Sequence, residues 1–272
     1  MLYVVATPIG NLDDMTFRAV KVLSSVDVIL AEDTRHSRKL LDYYHIHTPL
    51  LAYHEHNEAE LTPKLIQDLQ RGRSLALISD AGTPLISDPG FDLIRAAREN
   101  GILVSPLPGP CAAIAALSAS GLPTDTFTFA GFLPHKSLAK HTRLEYLKAS
   151  ASTLIFYESP HRLLSTLKDI QIVFGEGHPV ILAKELSKTF ERFFCGTLQE
   201  TLQLFEQDPR LTQGEFVILL APFTASDSSR VDISSQQALK DLAAVLPKSK
   251  VAELLAKWTG TPKREWYQQL LL

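Results

Sequence analysis

Hydrophobic and polar positions repeat along this chain in a regular order. Short apolar runs at residues 2–6, 26–30, 50–53, 75–78 and 102–107 recur through its first part, each too short for a lone helix and right for a buried strand. Between them the apolar spacing turns helical. Phe17, Val20 and Leu23 form one stripe, Leu40, Leu41 and Tyr44 a second, and Leu61, Leu65, Ile66 and Leu69 a third, while residues 91–100 predict a fourth helix. Asp13 and Asp14 are placed to cap the first helix and Thr34 the second, while Gly72 and Gly101 stop the later two. Strand and helix alternate about five times, which predicts a parallel sheet flanked by helices.

The pattern restarts near Leu122. TFTFAGFLP predicts a strand and residues 137–149 a charged helix, followed by strands at 153–158, 180–186, 191–197 and 215–221, with helices at 160–170 and 199–208. The expected organisation is an N-terminal α/β domain over 1–121, a second α/β domain over 122–222, a Ser-rich linker at 223–232 and a helical tail over 233–272. In the tail, Ser249 is placed to cap a helix bearing Val251, Leu254, Leu255 and Trp258. The turn Thr259, Gly260, Thr261, Pro262 then leads to a second helix with Trp266, Tyr267 and Leu270. Two short helices around a Gly-containing turn have the form of a helix-turn-helix; a hairpin used for packing or dimerisation is the alternative.

With 272 residues, 45% of them hydrophobic, the chain is long enough for two buried cores. No apolar run approaches the roughly 20 residues that cross a bilayer, and the first residues enter a strand directly, so the expectation is a cytoplasmic protein without a membrane partner. Cys111 and Cys195 have no paired spacing, which argues against a disulfide framework or a structural zinc site. A net charge of -3 excludes binding to nucleic acid by bulk attraction and leaves local basic patches. Two stand out: Arg35, His36, Arg38 and Lys39 after the second strand, and residues 240–272, where six cations against three anions leave +3.

Candidate chemistry lies at three strand ends rich in turn residues: TPIGN at 7–11, SDAGTPLISDPG at 79–90 and PGPCAA at 108–113. In a parallel sheet such ends share one edge, the usual place for a ligand crevice. None matches the G-x-G-x-x-G dinucleotide fingerprint or the G-x-x-x-x-G-K-[ST] phosphate loop.

The motifs VATPIGNLDDMTFRA, AEDTRHSRKLL, ISDAGTPLISDPG, PLPGPCAAIAALSASGLP, FAGFLP, FYESPHRL and AKELSKTFE together resemble the tetrapyrrole methylase superfamily, over roughly residues 1–221. The resemblance implies two α/β domains around a cleft that binds S-adenosyl-L-methionine (AdoMet). Where these methylases carry Gly-Asp-Pro, this chain has Gly82, Thr83, Pro84 preceded by Asp80, a departure similar to the ribosomal RNA branch. That branch implies 2'-O-methylation of a decoding-centre cytidine of 16S ribosomal RNA in the small subunit, by a homodimer. By family position Pro8, Asp80, Gly82, Thr83, Ile86, Pro110, Cys111 and Ala112 would line the AdoMet pocket, closed by Phe132, Glu215, Phe216 and Val217. Arg38, Lys39, Lys250, Lys257, Lys263 and Arg264 are the expected RNA contacts.

Displacement at a sulfonium carbon has an excellent leaving group. Positioning accounts for about 7–11 kcal/mol of the barrier, and a general base adds about two to four powers of ten. Base candidates are Asp33, Glu32, Asp88, His54 and Glu185, with Asp33 and Arg35 the expected catalytic pair. The competing readings are a tetrapyrrole or diphthine-type methyltransferase and a non-catalytic ribosome-assembly factor.

Overall fold

A computed structural model describes residues 1–223, 246–259 and 262–270, in two compact units, 1–223 and 224–272. The first unit begins with five strands, β1 (Leu2–Val5), β2 (Val28–Ala31), β3 (Leu50–Ala52), β4 (Leu75–Ile78) and β5 (Val104–Leu107). They form one parallel sheet in the order β3-β2-β4-β1-β5. Helices α1 (Phe17–Ser25), α2 (Thr34–Tyr43), α3 (Glu58–Gln70) and α4 (Phe91–Glu99) connect the strands. Ala76 and Ile78 pack with Ala19 and Leu23 of α1 and Leu41 of α2, while Leu75 and Leu77 pack with α3 and α4 through Leu65 and Leu93. Cover on both faces explains why β4 is apolar at every position.

Helix α5 (Ala112–Ser120) leads to β6 (Phe127–Phe132), β7 (Thr153–Glu158), β8 (Pro179–Lys184), β9 (Arg192–Thr197) and β10 (Phe216–Leu220). This second sheet runs β6-β7-β10-β8-β9, parallel between β6 and β7 and antiparallel elsewhere. Helices α6 (Ser137–Lys148), α7 (Leu163–Phe174) and α8 (Leu198–Gln207) cover one face. The other face is covered by α5, whose Ala113, Ala116 and Leu117 pack on Ile155, Ile181, Val217 and Leu219. The alanine-rich helix therefore follows the first sheet in sequence and completes the core of the second.

Several local expectations are corrected. Thr16, not Asp13 or Asp14, caps α1 by accepting from Ala19 N–H, while Asp13 and Asp14 lie in a 3-10 turn capped by Asn11. Phe17 is 90% exposed, and Ala19 replaces it on the buried face. Asp33, not Thr34, caps α2, because its carboxylate accepts from the N–H groups of both Arg35 and His36. Phe223 belongs to the second core, with the Lys148 ammonium 4.1 Å from its ring centroid, so it is not linker.

The rest of the expected linker, and residues 233–245, lie outside the described residues. In the second unit, α9 (Lys248–Thr259) begins one residue before Ser249, and α10 (Lys263–Gln269) packs on it through Val251, Ala252, Leu255, Trp266 and Leu270. Lys250 and Lys263 share Glu253, at 3.5 and 3.7 Å.

Candidate active site

The three polar strand ends meet. Thr7, just after β1, exchanges backbone hydrogen bonds with Gly82, at 2.8 Å to its carbonyl and 3.0 Å from its N–H. The Thr7 hydroxyl donates to the Ser79 carbonyl at 3.1 Å, and the Thr83 hydroxyl donates to the Pro110 carbonyl at 2.9 Å, which joins the third loop to the other two. Glycines make this crossing possible. A Cβ on Gly109 would lie 2.7 Å from Ala6 Cβ; one on Gly82, whose φ is +84°, would lie 3.3 Å from Ile9 Cγ2.

The loop between β4 and α4 is conformationally costly. Leu85 (φ 72°) and Ser87 (φ 73°) are left-handed without being glycine, a cost of order 1–3 kcal/mol each that the surroundings must offset. Part of that support comes from β6, where a Cβ on Gly131 would sit 3.2 Å from Ser87 Oγ. The β6–β7 register shifts between Phe129 and Phe132, where the two segments touch.

Facing this loop is the edge of the second sheet. The Tyr157 hydroxyl accepts from Ala113 N–H at 3.1 Å, anchoring the start of α5, and its ring meets Phe129 and Phe132 edge-on at 4.9 and 5.8 Å. Burial raises the Tyr157 phenol well above its ordinary range, so it stays protonated. The segment after β8 clasps the first turn: Ser187 Oγ donates to Asp14, and Lys188 packs against Gly10 while bridging Glu185 and Glu215 at 3.1 Å each.

Between these walls lies a cavity of about 340 Å³. Gly82, Thr83, Ile86 and Ala112 line it from the first sheet's loops and α5, and Phe132, Glu215, Phe216 and Val217 line it from the second sheet. Of the other expected cofactor residues, Asp80 accepts from Asp33 N–H at 3.2 Å and Pro110 accepts from Thr83. Pro8 is buried between Thr7 and Ile9. Pro110 and Cys111 line an adjoining groove with Leu186 and Phe193.

Asp33 and Arg35 are not in the cavity lining. Asp33 is a helix cap paired with Arg35 at 3.1 Å, and the Arg35 hydrogen bonds hold its carboxyl down at about 2; Arg35 itself is 91% exposed. Arg38 and Lys39 are exposed on the same helix. Burial, then repulsion from Asp80 and Glu55, raises Glu32. Glu185 is half-buried, which would raise it, but Glu215 N–H at 2.8 Å and Lys188 outweigh that and hold it low. Asp88 lines the cavity with its carboxyl pushed up to about 6, by burial first and then by Glu32 and Asp80, with the Ser79 hydroxyl offsetting part of the rise.

Ile9 and Ser87 of the expected turn motifs also line the cavity, together with Tyr157, Ser159 and Pro160, to which sequence reasoning assigned no role. The run FYESPHRL was the signal for the last three. Glu158 of that run is 1% exposed and accepts from Ser159 N–H, Thr166 and Arg162 at 2.8, 2.6 and 3.3 Å. Behind it Lys140, 3% exposed, contacts Thr166 at 3.0 Å and Asp169 at 2.8 Å. His141 and Ser137 both engage the same Asp169 oxygen, so this is a fixed polar support and not a hydrolytic triad, in which the histidine would stand between the other two.

Residues 1–202 match the family described as Tetrapyrrole (Corrin/Porphyrin) Methylases. The chain belongs to the tetrapyrrole methylase family. Residues 231–272 match the RsmI C-terminal HTH domain. Ribosomal RNA small subunit methyltransferase I of Pseudomonas aeruginosa is 50% identical over 271 residues, covering 99% of this chain and 96% of the relative. The protein of the same name from Haemophilus influenzae is 49% identical over 270 residues, covering 98% and 95%. The uroporphyrin-III C-methyl transferase of Thermus thermophilus, solved in complex with S-adenyl homocysteine, shares the fold with TM-score 0.54 and 18% identity, covering 80% of this chain and 96% of that one. This tetrapyrrole methylase uses Thr83 to lock its second and third loops together through the Pro110 carbonyl.

Proposed function

We propose that this protein transfers a methyl group from AdoMet to the 2'-hydroxyl of a decoding-centre cytidine of 16S ribosomal RNA, within the small ribosomal subunit in the cytoplasm. The observation that carries the reading is the cavity itself, built where three crossing loops face the Glu215–Val217 edge, in a chain whose full-length relatives are named ribosomal RNA small subunit methyltransferase I.

The residues present fit AdoMet. Gly82 and Gly109 let the three loops cross closely at the cavity, since a Cβ on either would meet Ile9 or Ala6, and Ile86, Phe132 and Val217 offer apolar walls. Asp88 and Glu215 give a cationic ligand favourable charge. When bound, AdoMet supplies an activated methyl group on a positively charged sulfur. The chain's own part is to hold that group and the ribose hydroxyl in line and to exclude water, which the partly buried Tyr157 and Phe129, packed edge-on, support.

Naked duplex RNA offers 2'-hydroxyls without distinguishing them, so choosing one nucleotide requires a distorted target presented by folded RNA. In this reading the exposed Arg35, Arg38 and Lys39 of α2 dock phosphates beside Asp80, with Asp33 fixing Arg35; their role is positioning. Lys250, Lys257, Lys263 and Arg264 of the helix-turn-helix tail add a second docking face. The homodimer implied by the resemblance completes the reading and is checked by light scattering.

The test is mass spectrometry of nuclease-digested 16S ribosomal RNA after incubating small subunits with AdoMet, with and without the protein. A methyl group on one cytidine ribose is the expected result. A label on a base, on protein or on a tetrapyrrole refutes it.

A further inference from the structure

The motif AKELSKTFE, residues 183–191, forms the end of β8 and the turn into β9. At that end of the hairpin Lys184 and Arg192 stand directly opposite each other in the ladder, and like charges so placed cost stability unless an anion joins them. Among the described residues neither is in an ion pair. The nearby carboxylates are committed elsewhere: Glu185 to Lys188 at 3.1 Å, Glu191 to Ser187 N–H at 2.7 Å and Asp208 to Arg210 at 2.8 Å.

Both cations are held in place. Lys184 Nζ donates to the Leu211 carbonyl at 2.9 Å, and the Arg192 guanidinium lies 4.6 Å from the Phe194 ring centroid. With Phe190, Gln213 and Gly214 they line a groove of about 550 Å³, room enough for a nucleotide. The Phe190 ring at its rim is 78% exposed. An open aromatic face beside uncompensated cations is what single-stranded RNA requires, a stacking platform for a base and a counter-charge for its phosphate. We propose that this groove is a second RNA subsite, in which Phe190 stacks on the base of a nucleotide flanking the methylation target while Arg192 and Lys184 take its phosphate; this deepens the function proposed above and rests on it.

The groove adjoins the cavity without sharing its lining. Along β8, Ala183 lines the cavity and Lys184 the groove, the alternation of a strand. Gly214 lines the groove and the next residue, Glu215, lines the cavity, so an RNA strand with its target in the cavity reaches the groove over that edge.

The turn is fixed in advance. Glu185 (φ 51°) and Ser187 (φ 65°) are left-handed without being glycine, a strain the surroundings must offset. Glu185 supplies that support by accepting from Glu215 N–H at 2.8 Å, and a Cβ on Gly214 would lie 2.7 Å from Glu185 Cγ. A rigid platform loses little freedom on binding. A second copy of this chain is the weaker occupant: apolar surface laid on Phe190 would bury two cations without a counter-charge, whereas RNA brings a base face and a phosphate together.

The test is binding of the full-length protein to small ribosomal subunits, measured as a function of salt. Phe190→Ala should weaken binding by about 5- to 150-fold with the salt slope unchanged, and Phe190→Trp should restore it. Arg192→Gln should lower the slope by about 0.7, and Arg192→Lys should keep it. AdoMet affinity by calorimetry should stay within about twofold in all four, since neither residue lines the cavity. Binding within about twofold of wild type in Phe190→Ala, or an unchanged slope in Arg192→Gln, overturns the assignment. So does a halved mass for Phe190→Ala in light scattering, which would make the groove a contact between copies of the chain. If wild-type protein leaves ribose unlabelled, the function reading falls and the subsite with it; labelled ribose with unaffected variants sinks the subsite alone.

Discussion

Gly82→Ala isolates the crossing of the three loops. At φ +84° an alanine incurs about 1–2 kcal/mol of left-handed strain, and its Cβ, 3.3 Å from Ile9 Cγ2, must push a side chain that lines the cavity. Gly101, just beyond α4, has φ +68° but nothing within 4 Å of an added Cβ, so Gly101→Ala carries similar strain without the neighbour. For a body of this size each kcal/mol lowers Tm by about 2–4 °C, so both variants should melt about 2–8 °C below wild type. Their AdoMet affinities should separate. Calorimetry should show a weakening of at least tenfold, about 1.4 kcal/mol, for Gly82→Ala and less than twofold for Gly101→Ala. Equal affinities in two equally destabilised variants would refute the claim that the Gly82 crossing forms the cofactor surface.

Lys140→Met strips the cation from the network behind Glu158; leaving Asp169 and Thr166 poorly compensated should cost about 3–5 kcal/mol, read from denaturant unfolding. Asp88 acts on stability through pH. Its carboxyl rises from 3.8 to about 6 in the folded chain, so it stabilises below 3.8 and that contribution disappears as pH rises to about 6. The rise sets a ceiling of about 3 kcal/mol, and access to water lowers it to about 1–2 kcal/mol. Wild-type stability relative to Asp88→Asn should therefore fall across that window in pH-dependent unfolding, and a flat difference would contradict it. Lys257→Ala with Arg264→Ala should weaken RNA binding and reduce its salt slope by about one for each phosphate no longer neutralised, with AdoMet affinity unchanged. An unchanged slope would make α9 and α10 packing elements.

The first sheet was legible because strands covered on both faces, such as β4, read as unbroken apolar runs between glycine-rich turns. The order of the second sheet was not, since β10 lies between β7 and β8 and adjacency of strands distant in sequence leaves no local trace. Caps shifted by a residue or more because Asp33 and Thr34, like Asp14 and Thr16, are competent by type, and only the backbone path decides between them. The loops of the candidate site were visible as turn chemistry. The commitment of Asp33 to a helix end and the burial of Asp88 depend on neighbours from β2, β4 and β7, which no spacing rule encodes.

The position of β10 has a consequence for how the protein is made. The last strand of the first unit is the middle strand of its sheet, pairing with β7 on one side and β8 on the other. During vectorial synthesis the parallel sheet and its three loops are complete long before residues 215–217 emerge to supply the opposing wall of the cavity. Ligand affinity therefore reports strand insertion, and a refolding time course followed by cofactor capture would time the closing of the second sheet without any label on the chain.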